Sequence, residues 1–350
     1  MTSSNLQPPT SDTAKALASD LKPQTSIDAK PLASISLDLD NQWSYMKIHG
    51  DAGWDSYPSY FDIFVPHVLD LLDQLNLKIT FFIVGRDAAL EQNKEYLRQI
   101  TARGHEVGNH SFNHESWLQK YSPEELEKEI RDAHDQIAQT TGKEPVGFRG
   151  PGFSWSPALL EVLADKGYLF DASTLPTYLG PLARMYYFWK SDLSKEEKKD
   201  RSELFGSFKD GLRPVKHYQW KLASGRTMLE IPVTTIPIIK TPFHLSYLLY
   251  LSGFSTYLML FYLYCAIYMC KMTGTSPSFL LHPLDLIGGD KLTALSFFPG
   301  MDLPSEKKAQ VFCKVIKTLS KHFELVNMSK HARFLLSNGK IKTIKVGSEA

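Results

Sequence analysis

Short runs of β-branched and aromatic residues alternate with longer amphipathic stretches along the chain. That alternation predicts repeated βα units rather than an all-β or all-α protein. The expected strands are Ala33–Leu39, Ile79–Val84, His105–Asn109, Val146–Arg149, Tyr168–Asp171, Met228–Val233, Ser278–His282 and Phe323–Asn327. Helix starts are legible between them. Ser122-Pro123-Glu124-Glu125 supplies an N-cap, a proline in the first turn and a Glu placed to close a capping box, and Ser156-Pro157 repeats the signal. Seven or eight such units point to a closed or nearly closed barrel of parallel strands. A doubly wound sheet usually carries a glycine-rich phosphate loop after its first strand, and none follows Leu39. The expected fold is therefore α/β, a distorted (β/α)7–8 TIM-like barrel forming a single domain over 31–335. A disordered tail over 1–30 and a C-terminal tail over 336–350 are expected to flank it.

In this fold class active sites are built at strand C-termini and in the loops after them. Along Ala33–Asp40 the apolar residues alternate with Ser34, Ser36, Asp38 and Asp40, which puts both carboxylates on one side of the strand end. His110 follows the third strand, Arg149 ends the fourth, Asp171 the fifth and His282 the seventh. Taken singly, each fits helix capping or surface ion pairing as well as function. Five strand ends that all carry ionisable groups are hard to obtain from capping alone. Within this set His110-Ser-Phe-Asn-His114 places two imidazoles four residues apart, able to reach one ion if the segment is a helical turn. Ser111 stands where the two-histidine helix motif of metalloproteases has its Glu, which disfavours such a protease.

The 39 basic and 38 acidic residues nearly cancel, so there is no electrostatic footprint for nucleic acid. Cys265, Cys270 and Cys313 lack zinc-site spacing and read as buried or idle thiols in a reducing compartment. The first thirty residues hold no cationic segment followed by an apolar one, and the expected location is the cytoplasm.

Five blocks, Ser36-Leu-Asp-Leu-Asp-Asn41, His110-Ser-Phe-Asn-His114, Phe148-Arg-Gly-Pro-Gly-Phe153, Phe170-Asp-Ala-Ser173 and Leu280-Leu-His-Pro283, resemble the motifs of the polysaccharide deacetylases of carbohydrate esterase family four. The resemblance runs from about Leu32 to about His331. Two blocks depart from the usual pattern: Leu39 separates the aspartates, as in a subgroup that resembles some bacterial peptidoglycan deacetylases, and Gly152-Phe153 replaces a Pro-Tyr ending. The resemblance implies one divalent metal ion held by Asp40, His110 and His114, with positions left open for water and the substrate carbonyl. Zinc suits such ligands, and cobalt, nickel or iron would fit nearly as well. It further implies Asp38 as general base oriented by Arg149, and His282 as general acid with Asp171 fixing its tautomer and raising its pKa. Pro151 has no N–H, so Gly152 is the preferred oxyanion donor and Phe153 the second choice. The implied reaction removes an N-acyl group, most simply acetyl, from an amino sugar of a glycan or of its lipid-linked precursor. Relatives that cleave formamides or cyclic amides, some without metal, give an alternative on the same fold. A silent glycan- or lipid-binding module would have no use for Asp38 and His282 on one rim.

The stretch Gln42–Pro58 is aromatic, with Trp43, Tyr45, Trp54 and Tyr57, and a second aromatic stretch runs from Tyr178 through Arg184 to Trp189. Packing explains many of these as well as sugar stacking does. Trp54, Phe153, Trp155 and Arg184 are the candidate substrate contacts. Between Thr241 and Cys270 there is no Asp, Glu, Lys or Arg. That length could span a bilayer, but spanning would part His282 from the metal ligands. A buried helix pair broken at Ser252-Gly253 is the first expectation, and an interfacial helix over 245–270, touching the inner membrane face, the second. The charged run Lys190–Glu203 carries no assigned chemistry.

Overall fold

A computed structural model describes residues 30–179, 211–338 and 340–347. The tail expected over the first thirty residues lies outside these except for Lys30, as do Arg184, Trp189 and the Lys190–Glu203 run. Among the described residues ten strands form one sheet: β1 (Leu32–Leu39), β2 (Thr80–Ile83), β3 (Glu106–Asn109), β4 (Gly147–Phe148), β5 (Phe170–Asp171), β6 (Tyr218–Lys221), β7 (Thr227–Glu230), β8 (Ser278–Leu281), β9 (Glu324–Val326) and β10 (Thr343–Lys345). Their order is β10-β6-β7-β5-β4-β3-β2-β1-β8, with β9 paired to the first residues of β1. Every pairing is parallel except the β6–β7 hairpin. Between β7 and β8 the barrel is drawn together by the segment after β7, where Thr234 N donates to Ser278 O at 3.0 Å and Thr234 Oγ1 accepts from Ser278 N at 2.8 Å.

The helices are α1 (Gln42–His49), α2 (Phe61–Gln74), α3 (Gly85–Ala89), α4 (Glu91–Ala102), α5 (Pro123–Thr141), α6 (Pro157–Asp165), α7 (Leu245–Phe254), α8 (Thr256–Thr273), α9 (Ser305–His322) and α10 (Met328–Asn338). The expected capping box is present: Ser122 Oγ accepts from Glu125 N and Glu125 Oε2 from Ser122 N. Ser156 likewise caps α6 through the N–H of Leu159.

All eight strands read from the sequence are present, with ends within two or three residues. Two were not read, β6 and β10, because Tyr218–Lys221 and Thr343–Lys345 are short and flanked by lysines that break the apolar pattern. The domain consequently runs past the boundary expected at 335, since α10 continues to Asn338 and β10 pairs with β6.

Alternation along β1 sorts its side chains as expected. Ala33, Ile35, Leu37 and Leu39 join the large core formed with α2, α7, α8 and α9. Ser34, Ser36 and Asp38 are equally buried and bond to groups within the barrel. The interior is closed by rings lying over glycines, because a Cβ on Gly108 would stand 2.5 Å from Phe82 and one on Gly147 2.0 Å from Phe170. Phe82 and Phe170, with Leu229, Ile231 and the buried face of α10 (Met328, Ala332, Leu335), make an apolar cluster separate from the large core.

The charge-free stretch forms a helix pair, but the break is at Ser255, whose Oγ accepts from the N–H groups of Tyr257 and Leu258 as the cap of α8. Ser252 and Gly253 lie inside α7, so the expected break point was misplaced. No described helix is long and apolar enough to cross a membrane.

Candidate active site

Asp40 directly follows β1, and its main chain is pinned by Tyr60, whose hydroxyl donates to the Asp40 carbonyl. His110 and His114 sit in the loop after β3, which is not a helical turn as the four-residue spacing suggested: Ser111 and His114 have φ of 60° and 54°. Non-glycine residues rarely adopt this region unless their surroundings impose it. Here the surroundings do. Glu129 of α5 accepts from the main-chain N–H groups of Phe112 (2.9 Å) and Asn113 (2.6 Å) and from the Asn113 side chain (2.8 Å). Asn109 Oδ1 takes the Ser111 N–H, Ser111 Oγ the His114 N–H, and the Ser111 and Phe112 carbonyls accept from Gly85 and Arg86.

This loop turns both imidazoles onto Asp40. His114 Nε2 is 2.8 Å and His110 Nε2 3.6 Å from Asp40 Oδ1, and one ligand atom from each residue lies within 4.8 Å of the others. Ligands about 2.0–2.1 Å from one tetrahedral ion stand roughly 3.3 Å apart. The donor set therefore fits a divalent ion. Asp40 Oδ1 is buried and faces both imidazole Nε2 atoms, as expected of an oxygen placed to share a cation with them. His110 Nδ1 lies 2.6 Å from the Arg149 carbonyl, which assigns the proton to Nδ1 and leaves the Nε2 lone pair facing Asp40. Burial alone would raise the Asp40 pKa, but the two histidines outweigh it and hold the carboxyl far below its usual range. His110 shows the reciprocal effect: burial opposes its charge, yet Asp40 and Asp38 raise it.

Asp38 lies two residues back on the same face of β1. Its Oδ1 accepts from Arg149 Nη1 at 2.7 Å. Arg149 is wholly buried; it also donates to Ser36 Oγ (3.0 Å) and the Ala172 carbonyl (3.1 Å), and its guanidinium lies 4.5 Å above the Phe82 ring. A charge so enclosed is tolerable only when paired and hydrogen-bonded, so Asp38 and Arg149 fix each other.

His282 directly follows β8, with 28 % of its side chain exposed. Its charged partner is Asp285 and not the expected Asp171. Asp285 Oδ2 accepts the His282 main-chain N–H at 2.9 Å and lies 3.6 Å from Nδ1. Burial works against a charged His282, but Asp285, assisted by Asp38 and Asp40, lifts its pKa to about 9. The Asp285 loop is held by Lys308, a buried amine donating to the Leu284 (2.6 Å) and Ile287 (2.9 Å) carbonyls. Asp171 instead faces Glu230, its register partner on β7, and accepts from Ser173 Oγ at 2.5 Å. Burial raises both carboxyls, Asp171 to about 6 and Glu230 further, so the pair retains a proton beneath Arg149. The Asp285 contact was visible in the sequence only as the three-residue spacing after His282, whereas Asp171 stood at a strand end, where the motif drew attention.

Asp38, Asp40, His110, His114, Gly152, Phe153, Trp155 and His282 line one cavity of about 910 Å³. Gly152 has φ 59° and Phe153 φ 61°; the Phe153 N–H is engaged with the Gly150 carbonyl at 3.0 Å, which favours Gly152 as a donor toward the cavity. Trp155 stacks on Trp220 (4.8 Å between ring centres), and Arg213 lies 4.3 Å over it. Sequence reasoning missed Trp220, since β6 was not read, and Arg213, which lies in the irregular segment before that strand. Trp54 is not among the lining residues; it packs against Tyr57 with Lys47 over its ring, because the aromatic stretch after β1 folds back as a short helix and a 3-10 turn.

Residues 51–170 match the polysaccharide deacetylase family model. The chain is 33 % identical over 134 residues to a peptidoglycan-N-acetylglucosamine deacetylase of Bacillus cereus, covering 38 % of this chain and 58 % of that protein. It is 30 % identical over 139 residues to the peptidoglycan deacetylase of Helicobacter pylori, covering 39 % and 46 %. The chain thus spans about half the length of the curated relatives it matches. In three dimensions it is similar to a Mycobacterium smegmatis structure assigned to the polysaccharide deacetylases, with a TM-score of 0.57, 18 % identity, and coverage of 91 % of this chain and 96 % of that one, a likeness of fold. The matched segment holds His110, His114 and Arg149, while the fold brings Asp38, Asp40 and His282 to them from outside it. Residues 51–170 are thus similar in sequence to the polysaccharide deacetylases, and the chain is similar in fold to one solved structure assigned to them.

Proposed function

We propose that the protein is a metal-dependent amidase that removes an N-acyl group, acetyl in the simplest case, from an amino sugar of a glycan or its lipid-linked precursor. The observation that carries this reading is the placement of an Arg149-held carboxylate and an Asp285-held imidazolium around one Asp40–His110–His114 cluster in a single cavity. Asp40, His110 and His114 would hold the ion, and zinc is the ion we infer from the ligand types. A divalent ion there supplies Lewis-acid polarisation of the amide carbonyl and makes water a nucleophile near neutral pH.

The residues divide the remaining work. Asp38, fixed by Arg149, takes the proton of the attacking water. Gly152 N–H faces the developing oxyanion, a contribution of roughly 3 kcal/mol for one preorganised donor. His282, charged at neutral pH, gives its proton to the departing amine, which leaves as the free amino sugar. Trp155, backed by Trp220 and Arg213, offers an aromatic face for a sugar ring.

We further infer a cytoplasmic protein whose α7–α8 face rests on the inner membrane surface. Tyr257, Phe261, Tyr268 and Met272 stand exposed in a row along α8, which supports this location. Acid release from N-acylated amino sugars, measured with and without added zinc after chelation, tests the activity. Turnover that survives full metal removal would sink the metal-dependent reading. Co-sedimentation with liposomes tests the location, and absence of binding at low salt counts against it.

A further inference from the structure

His244 lines the same cavity as Asp38, Asp40 and His282, yet the reaction above gives it no part. It directly precedes α7 and makes no side-chain cap for that helix. Its neighbour Phe243 is buried, with its ring 6.0 Å from that of Phe279 on β8. That anchor sets the His244 ring beside the end of β8, 5.8 Å between ring centres from His282.

Only 8 % of His244 is exposed, and neither of its ring nitrogens has a hydrogen-bond partner among the described residues. A buried donor or acceptor left unpaired is a net cost to the fold. A phenylalanine would fill the position without that cost, so packing does not account for an imidazole. Burial, and after it the charge of His282, push the His244 pKa down to about 4, so this ring is neutral where His282 is charged. A neutral imidazole carries one donor and one acceptor. A hydroxyl pairs with either nitrogen in either tautomer, whereas a carboxylate or phosphate is better served by a charged ring.

The separation of the two rings narrows which hydroxyl. An atom hydrogen-bonded to a ring nitrogen lies roughly 4 Å from the ring centre, so rings 5.8 Å apart can hold two polar atoms roughly 3 Å from each other. Substituents on adjacent carbons of a sugar have that spacing. We propose that His244 binds the hydroxyl on the carbon next to the one bearing the amide, while His282 serves the amide nitrogen, so that the site selects amino sugars in which this hydroxyl is free. The position of the amide nitrogen at His282 rests on the deacetylase reading above.

The test uses the full zinc-loaded chain with the methyl glycoside of N-acetylglucosamine and its 3-deoxy counterpart, which lacks only that hydroxyl. In the unaltered protein kcat/KM is expected to be at least tenfold higher for the parent glycoside. His244→Phe, which keeps a ring but neither polar atom, is expected to bring the ratio close to one, and His244→Gln, which restores a donor and an acceptor, to recover part of it. A general loss of folding or of metal lowers both glycosides together and preserves the ratio, so the ratio reads the contact itself. A ratio near one in the unaltered protein, or one that His244→Phe leaves intact, overturns the proposal. If neither glycoside releases acid, the ratio is read as affinity by calorimetry. Tenfold discrimination that His244→Phe removes then supports the contact and counts against the deacetylase reading, and binding without discrimination, or no binding, overturns the contact as well.

Discussion

Replacing Asp285 by Asn separates the electrostatic partner of His282 from the fold that presents it. Asn retains a carbonyl oxygen that can still accept the His282 main-chain N–H, the 2.9 Å contact that shapes the turn after β8. What disappears is the negative charge 3.6 Å from Nδ1. His282 stands at about 9 against an ordinary 6.5, and that interval corresponds to about 3 kcal/mol in favour of the charged ring. Burial opposes it, Asp285 is its largest support, and an ion bound at Asp40 would cancel much of that carboxylate's share. The variant imidazole is therefore expected at or below 6.5. At pH 8 the protonated fraction falls from roughly nine-tenths to about 3 %, a loss of roughly 30-fold in kcat/KM, while at pH 5.5 the two proteins differ only a few-fold. The assay is the pH profile of kcat/KM for an N-acetylated amino sugar at saturating zinc. The alkaline limb should move from near 9 to near or below 6.5. A limb that stays near 9, or a loss of equal size at every pH, would refute the assignment of Asp285 as the group that keeps His282 charged.

Asp38→Asn should keep metal stoichiometry and lower turnover by at least 100-fold, and full activity in that variant would exclude Asp38 as the base. Glu129→Gln keeps the size of the side chain that anchors the histidine loop but replaces one acceptor oxygen by an amide NH2 donor; zinc affinity by competitive chelation should weaken roughly 10- to 100-fold, as for other groups that orient metal ligands. The Asp171–Glu230 pair binds protons that the unfolded chain would release near pH 4, so the folded state is the more protonated one and its stability falls as pH rises through about 6. Glu230→Gln should flatten that dependence in urea titrations at pH 5 and pH 8, and an unchanged slope would mean that the pair is not protonated. Ser122→Ala should cost about 1 kcal/mol through the lost cap of α5 while leaving kcat/KM unaltered.

What could be read from the chain followed physical periodicity. Asp38 and the apolar residues Leu37 and Leu39 beside it declare their faces because a strand alternates with period two. Ser122 and Ser156 declare helix starts because an N-cap is a local hydrogen bond. His110 and His114 show the limit of this reasoning. Their spacing suggested a helical turn, yet they converge through a left-handed loop whose shape is set by Glu129, fifteen residues beyond His114 and on another element. The His282 partner was misassigned for a related reason. A strand-end Asp171 resembles a catalytic residue in one dimension, but its neighbour across the sheet, Glu230, determines what it can do, and cross-strand register is not written locally.

The buried polar groups form two linked charge layers. Arg149 lies between Asp38 above and the Asp171–Glu230 carboxyls beyond Ala172, with the Phe82 ring against its face. Were both lower carboxyls ionised, they would compete with Asp38 for one guanidinium, and the enclosed site would carry more anionic charge than a wholly buried Arg can balance. Retaining a proton on the lower pair leaves the Arg149 charge directed mainly to Asp38. The same reasoning gives a coupled outcome for Asp38→Asn: with its upper anion gone, Arg149 should draw the Asp171 pKa down from about 6, so the pH dependence of stability should shift toward lower pH in that variant. Urea titrations of Asp38→Asn across pH 4 to 8 test it, and a profile superimposable on that of the unaltered protein would show that the two layers do not communicate through Arg149.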